Sequence, residues 1–429
     1  MSRSDITFSQ FVSSGIKDAV IFLDVDGTLV PDGQGELPQA VIDQLRGLSK
    51  SNDVYLCSNG SHGHANDFAQ RVDARSLACR KPFSGPMRYV APEAKRRLVV
   101  GDKYLTDGLL AHSLKAEFIK IAHLRGSADR MSVRLSYMLD DIIWAVVPYF
   151  MLVRPWHWIK NILVLAPVFF AVRINDPQAM GFTVMAFIAC CVSASLVYVV
   201  NDIFDQESDR EHPTKRFRPL AHGDIGMRGA LASVAILALL DVGLLFAVQR
   251  IIPPLVVYMV LNLLYSKWIK GIAVADIVCV SSFYLLRILI GGLAAAVYIS
   301  PWIILCTFFG SLFIIIGKRR SEYFRDKQRA VLAEYSKEAL DLMLISSLTL
   351  AVISYGIWSV IGHDLPYLVY STLFVLFAVF RTLNRIYASP EQAESPETLV
   401  FKDRWIFGSF ALWVLYIFFV FYYTYQQTL

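Results

Sequence analysis

The sequence predicts two domains of different class: an N-terminal α/β domain on a parallel sheet, then an all-α polytopic membrane bundle of about nine transmembrane helices. Three observations carry this reading. Up to about residue 130, short runs rich in Val, Leu and Ile alternate with polar, helix-forming stretches. From about residue 141, long apolar runs follow one another. In that second part, Lys and Arg crowd into alternate loops. The expected division is 1–130, a linker or interfacial helix at 131–153, and 154–429.

In the first part the strand candidates are Ala19–Asp24, Val54–Ser58, Leu77–Arg80, Leu98–Asp102 and Glu117–Ile121. Between the first two lies room for only a turn and one helix, Gln39–Ser49. Ligands of such sheets bind at the carboxyl ends of the strands. In the second part, spans of roughly 20 apolar residues are expected near 157–174, 179–201, 227–247, 251–268, 273–297, 300–317, 342–362, 365–382 and 405–425. The preceding stretch, Met131–Val153, mixes Arg134, Asp140 and Asp141 with Trp144, Tyr149 and Phe150, the pattern of an interfacial helix.

The chain has 429 residues, 55% hydrophobic and 18% charged, against roughly 45–50% and about 25% in soluble proteins. Disorder, collagen and a disulfide scaffold are excluded, and the length argues against one soluble globule. None of the six cysteines forms a CxxC pair, so no zinc site is expected. A net charge of +5, from 41 Lys+Arg and 36 Asp+Glu, calls for no nucleic acid partner. Its placement is informative. With a cytoplasmic N-terminal domain, the inner loops hold runs such as Lys318–Arg320, while the outer loops hold only Arg173 and Arg250. The N-terminus lacks the layout of a signal peptide. The expected location is therefore the bacterial cytoplasmic membrane, with the N-terminal domain inside and the C-terminus outside.

Two sets of residues carry chemistry. The first strand ends in IFLDVDGTLV. Here Asp24 can attack phosphorus and Asp26 can protonate the leaving oxygen. The second strand ends in CSNG, offering Ser58 and Asn59 to phosphate oxygens. Lys81 follows the third strand, and Asp102 and Asp107 follow the fourth in VVGDKYLTD. Four pieces at strand ends, in this order, resemble the haloacid dehalogenase (HAD) superfamily of phosphatases. The likeness is nearest to the small branch that includes phosphatidylglycerophosphate phosphatases. It implies a Rossmann-like HAD core without a cap, Mg²⁺ on Asp24, Asp26 and Asp102, and a charge-balancing Lys81.

The second set begins where the second span ends, in VVNDIFDQESDREHPTKRFRPLAHGDI. Asp202, Asp205 and Asp209 are spaced i, i+3, i+7, which on a helix is one face. Beside Asn201 they make a hard-oxygen surface suited to Mg²⁺ carrying a diphosphate. Arg287 lies deep in the fifth span, where an ionisable group is a functional candidate by default. NDxxDxxxD followed by a basic RP segment resembles the UbiA superfamily of intramembrane prenyltransferases. The second acidic motif of the quinone and haem branches is missing; YSKWIKGIAVADIVCVSSFYLLRILIGG stands there, with Asp276 as its one acid. RPWHWIKN, the NDIFDQESD run, YSKWIK, LLRILIGG, GKRRSE and SPETLVFKDR together resemble one branch, the decaprenyl-phosphate phosphoribosyltransferases.

That resemblance implies a phosphoribosyl diphosphate donor, a polyprenyl phosphate acceptor and Mg²⁺, with Asp202, Asp205 and Asp209 as catalytic and metal-binding residues. Phosphates are expected on Lys160, Asn161, Lys215, Arg218, Tyr265, Lys270, Arg287, Lys318, Arg319 and Arg320. The product keeps a 5-phosphate, which the N-terminal phosphatase is placed to remove on the way to an arabinofuranosyl lipid for cell-envelope glycans; a downstream epimerase is then expected. The other partners are the lipid bilayer and, in an assembled form, further copies of the chain. Two rival readings are an aromatic prenyltransferase using a prenyl diphosphate, which the missing second motif disfavours, and a membrane scaffold with a degenerate phosphatase-like module, which the intact acidic motifs disfavour.

Overall fold

The computed structural model describes residues 6–31, 36–58, 62–72, 74–78, 81, 96–114, 116–126, 131–212, 215–325, 330–361, 365–388 and 402–427. The chain divides into two compact units. One holds Met1–Met151 and His222–Ile225, the other Leu152–Ala221 and Gly226–Leu429.

In the first unit, strands β1 (Ala19–Asp24), β2 (Asp53–Ser58), β3 (Arg75–Ala78), β4 (Arg96–Gly101) and β5 (Glu117–Lys120) form one sheet. Every pairing is parallel and the order is β3-β2-β1-β4-β5. The two faces of the sheet follow the period of two. Ile21, Leu23, Leu56, Leu98 and Val100 bury into one core, and Val20, Phe22, Tyr55, Cys57 and Val99 into another. Helices α1 (Phe8–Ser13), α2 (Gln39–Ser49), α3 (His62–Arg71) and α4 (Leu109–Leu114) accompany it. Helix α2 has the limits expected from the sequence, and among the described residues it is the one helix between β1 and β2. The strand order reverses between β1 and β4, which opens a crevice at their carboxyl ends. Helix α5 (Met131–Val153) follows β5.

In the second unit, the helices are α6 (Pro177–Phe204), α7 (Gln206–Glu211), α8 (Met227–Ala247), α9 (Ile252–Lys267), α10 (Ala275–Ala295), α11 (Pro301–Arg325), α12 (Lys337–Ile361), α13 (Thr372–Ala388) and α14 (Arg404–Gln427). Helices α6 and α10 are the most buried of the long ones, and their small residues let neighbours approach. A Cβ on Gly291 would collide with the Val164 carbonyl.

Eight helices among the described residues are long and apolar enough to cross a membrane. Seven match expected spans, and the eighth is α5, read from the sequence as interfacial. Two of the nine expected spans take another form. Residues 157–174 become a 3₁₀ helix, Pro155–Leu165, joined to a short α-helix, Ala166–Phe170. Pro155 and Pro167 remove backbone donors there, and Arg154, ahead of Pro155, sits at φ 52°. The stretched 3₁₀ rise of about 2.0 Å per residue still gives the pair a length of roughly 30 Å. Span 251–268 becomes α9, where Pro253 and Pro254 occupy the first turn and leave 16 residues of helix.

Candidate functional sites

The first site lies where β1 and β4 part. Asp24 ends β1, and the register sets it beside Gly101, so that Asp102 follows immediately on the neighbouring strand. Asp107 reaches the same point from the turn Tyr104–Gly108. Oxygens of Asp24, Asp102 and Asp107 lie within 4.8 Å of one another, and all three residues are buried. Lys81 enters this cluster as an ion-pair partner of both Asp24 and Asp107, the latter at 2.7 Å. Burial pushes the Asp24 carboxyl well above its ordinary value; the charge of Asp107 adds to this and Lys81 opposes it. Burial raises Asp107 too, again against Lys81. Burial lowers Lys81, but its two carboxylates more than offset this and hold it above its ordinary value.

The structure thus brings together Asp24, Lys81, Asp102 and Asp107. Ser58, at the end of β2, donates to Asp26 at 2.7 Å, which fixes the second aspartate of the DVD string. Asn59 lies outside the described residues. Asp102 Oδ1 is buried and has no hydrogen-bond partner among the described residues. An orphaned carboxylate oxygen among three buried acids fits a hard divalent cation, with Asp24 and Asp102 as ligands. Gly27, at φ +79°, makes the turn after β1, and a Cβ there would collide with Asp102 and crowd the Tyr137 hydroxyl.

One member escaped the sequence reading. His123 shares a hydrogen bond with Asp102 Oδ2 through Nδ1 (3.2 Å) and another with Asp141 Oδ1 through Nε2 (2.9 Å). Burial lowers its pKa, but these two carboxylates win and raise it. His123 follows β5 in an irregular segment, so no motif or period marks it.

The second site lies at the end of α6. Asp202 and Asp209 are buried; Asp205 separates α6 from α7 and is half-exposed. The break turns the expected single face into two segments. Arg218 Nη1 stands between them, 3.1 Å from Asp202 and 2.5 Å from Asp209. Arg154 closes the other side of Asp202 with contacts of 2.6 and 2.9 Å from one nitrogen. Lys215 Nζ lies 3.9 Å from Asp209. Asn201 donates to Ser266 at 2.9 Å. Guanidinium groups answer the charge of Asp202 and Asp209. Arg154 is thereby tied to the acidic motif by geometry.

Arg287 is buried in α10. It donates to Asn161 Oδ1 (2.7 Å), the Phe283 carbonyl (2.8 Å) and the Tyr258 hydroxyl (3.2 Å), and its guanidinium lies over the rings of Tyr258 and Tyr284. Among the described residues, no carboxylate pairs with it. Asn161 also donates to Cys191 on α6, which sets this level roughly 16 Å from Asp202 along that helix at 1.5 Å per residue.

Arg319 and Arg320, expected to face phosphate, have carboxylate partners within the bundle. Arg319 pairs with Asp276 (2.7 Å) and Glu322 (2.9 Å), and Asp276 also accepts from Tyr335. Arg320 pairs with Asp341 at 2.6 Å and stacks on Tyr387. Tyr265 packs edge-on against Phe283, Lys160 and Lys318 are half-exposed, and Lys270 is exposed.

A helical membrane bundle with an acid–arginine chain at one helix end and a buried arginine within it defines the class. The UbiA prenyltransferase family profile matches residues 162–402, more than half of the chain, and the chain belongs to that family. It is a multi-pass membrane protein. Its relatives narrow the comparison. It is 34% identical over 264 residues to the decaprenyl-phosphate phosphoribosyltransferase of Mycobacterium tuberculosis strain H37Rv, covering 59% of this chain and 87% of that one. It is 38% identical over 222 residues to the Corynebacterium glutamicum protein of the same name, covering 49% and 66%. Among solved structures, a UbiA homolog from Archaeoglobus fulgidus bound to DMAPP and Mg²⁺ superposes with a TM-score of 0.49 at 19% identity, over 63% of this chain and 98% of that one.

Proposed function

We propose that this chain is a bifunctional membrane enzyme. Its bundle transfers 5-phosphoribose from phosphoribosyl diphosphate to a polyprenyl phosphate of the decaprenyl type. Its α/β unit is a HAD-type phosphatase that removes the 5-phosphate from the lipid-linked product, towards an arabinofuranosyl donor lipid. The positive loops support a reading in which the chain lies in the bacterial cytoplasmic membrane with the α/β unit inside.

The observation that carries the transferase reading is Arg287. Among the described residues this buried guanidinium has neutral partners only, and a phosphate is its natural counter-ion. The similarity to named phosphoribosyltransferases supports the same donor and acceptor. The donor chemistry of Asp202, Asp205 and Asp209 fits Mg²⁺, which when bound would neutralise a diphosphate. Arg154 and Arg218 orient Asp202 and Asp209 and bring guanidinium groups beside them. The reaction forms one bond, from the lipid phosphate oxygen to the anomeric carbon, and breaks another, from that carbon to the diphosphate oxygen.

In the phosphatase half, Asp24 attacks phosphorus and the bond to the 5-oxygen breaks. Asp26, held by Ser58, gives that oxygen its proton. Water then hydrolyses the aspartyl phosphate and releases inorganic phosphate. Lys81 holds the Asp24 carboxylate in place. Mg²⁺ held by Asp24 and Asp102 would neutralise the phosphoryl oxygens.

The test supplies purified protein with labelled phosphoribosyl diphosphate, polyprenyl phosphate and Mg²⁺ and follows label into lipid. Asp202→Asn should abolish labelling. Unchanged labelling would remove the acidic motif from the transfer site.

A further inference from the structure

Helix α5 belongs to the α/β unit through Met151, and its two sides differ sharply. One side is fixed to that unit. Asp140 is buried and accepts from the backbone N–H groups of Tyr104 (3.0 Å) and Leu105 (2.9 Å). Lys120 bridges Asp140 (3.3 Å) and Asp141 (2.9 Å). Trp144 packs against Tyr104 and Phe118, and the buried Tyr137 against His123. The other side is apolar and exposed: Met131, Leu135, Met138, Leu139, Ile142, Val146, Tyr149 and Phe150. Their spacing follows the helical period without a gap. A helix crossing a bilayer turns its ionisable groups to the bundle interior, whereas these carboxylates take their partners from the α/β unit.

We propose that α5 lies on an anionic bilayer surface, its apolar stripe in the acyl boundary and its carboxylate side holding the α/β unit against the membrane. Three features on the chain favour lipid as the occupant. The helix runs directly into the membrane bundle at Arg154. The stripe is rich in Leu, Ile, Phe and Tyr, the side chains of interfacial helices. Two exposed arginines, Arg125 and Arg134, line a cavity of about 690 Å³ with Tyr137, Met138, Asp141 and Ile142. That combination offers cations to a lipid phosphate and an apolar wall to its chains. The hydrogen bonds Asp141–His123–Asp102 connect this helix to the candidate cation site.

The test uses the full-length chain in phosphatidylglycerol-containing nanodiscs. Its native cysteines are replaced, and its circular dichroism and elution volume must match wild type. An environment-sensitive dye is placed singly at Leu139, Ile142, Val146 or Ser136, against lipids spin-labelled high or low on the acyl chain. The expected result is quenching at 139, 142 and 146, stronger from the shallow label, with Ser136 spared. Stronger quenching from the deep label, or equal quenching at Ser136, would show a spanning helix and overturn the proposal. Absence of quenching at every position would overturn it as well. The readout needs no catalysis, so it stands apart from the enzymatic reading.

Discussion

Replacing Arg287 by Met should separate stability from activity. The substitution keeps the length and apolar stem of the side chain but removes the guanidinium. Asn161 Oδ1 and the Tyr258 hydroxyl lose a donor, at about 1–3 kcal/mol each. Against this, a buried charge with no carboxylate partner among the described residues disappears, which returns several kcal/mol. The two effects nearly cancel, so the thermal midpoint should stay within roughly 5 °C of wild type. Catalysis has no such compensation. Losing a preorganised donor to a phosphate costs about 3 kcal/mol in a buried site, or roughly a hundredfold in rate. Arg287→Lys keeps the charge without the fork and should recover part of the loss. The assay is incorporation of labelled phosphoribose into lipid, beside a melting curve on the same preparation. Activity of Arg287→Met within about threefold of wild type, with an unchanged midpoint, would refute the assignment of a phosphate to this arginine.

Other predictions concern both units. Gly27→Ala should abolish phosphate release, because its Cβ has no room beside Asp102 and the backbone is left-handed there; lipid labelling by the bundle should persist in the same assay. Removing divalent cations with a chelator should stop both reactions, and Mg²⁺ should restore them, followed as lipid label and free phosphate. Asp403 should support the fold through acid pH. Its burial raises the carboxyl, but hydrogen bonds from Arg385, the Trp405 N–H and Arg381 outweigh this and hold it down to about 2. A depressed folded value means the stabilisation is complete above about 4, the unfolded value, and fades as pH falls towards 2. Asp403→Asn should therefore lower the midpoint at pH 7 and leave it unchanged near pH 2.

The α/β sheet was legible because burial on both faces writes continuous Val/Leu/Ile runs into the chain, and strand ends there carry the motif residues. Asp24, Ser58, Lys81, Asp102 and Asp107 stand at those ends. His123 was not legible, since it reaches Asp102 through tertiary approach from an unpatterned loop. In the bundle, hydropathy reports apolar length but not helix type, so the 3₁₀ course of Pro155–Leu165 stayed hidden. The i, i+3, i+7 spacing assumed one continuous helix, which ends at Phe204. The cations of GKRRSE read alike in sequence. Only the fold shows that Arg319 and Arg320 face Asp276 and Asp341, whereas Arg287 faces neutral groups.

We propose that one chain both builds and dephosphorylates a lipid-linked phosphoribose. Mass spectrometry of the lipids made by the Asp24→Asn protein from phosphoribosyl diphosphate and decaprenyl phosphate tests it most directly. The variant should accumulate the lipid carrying the 5-phosphate, while wild type should yield the lipid without it. Identical lipid products from the two proteins would contradict it.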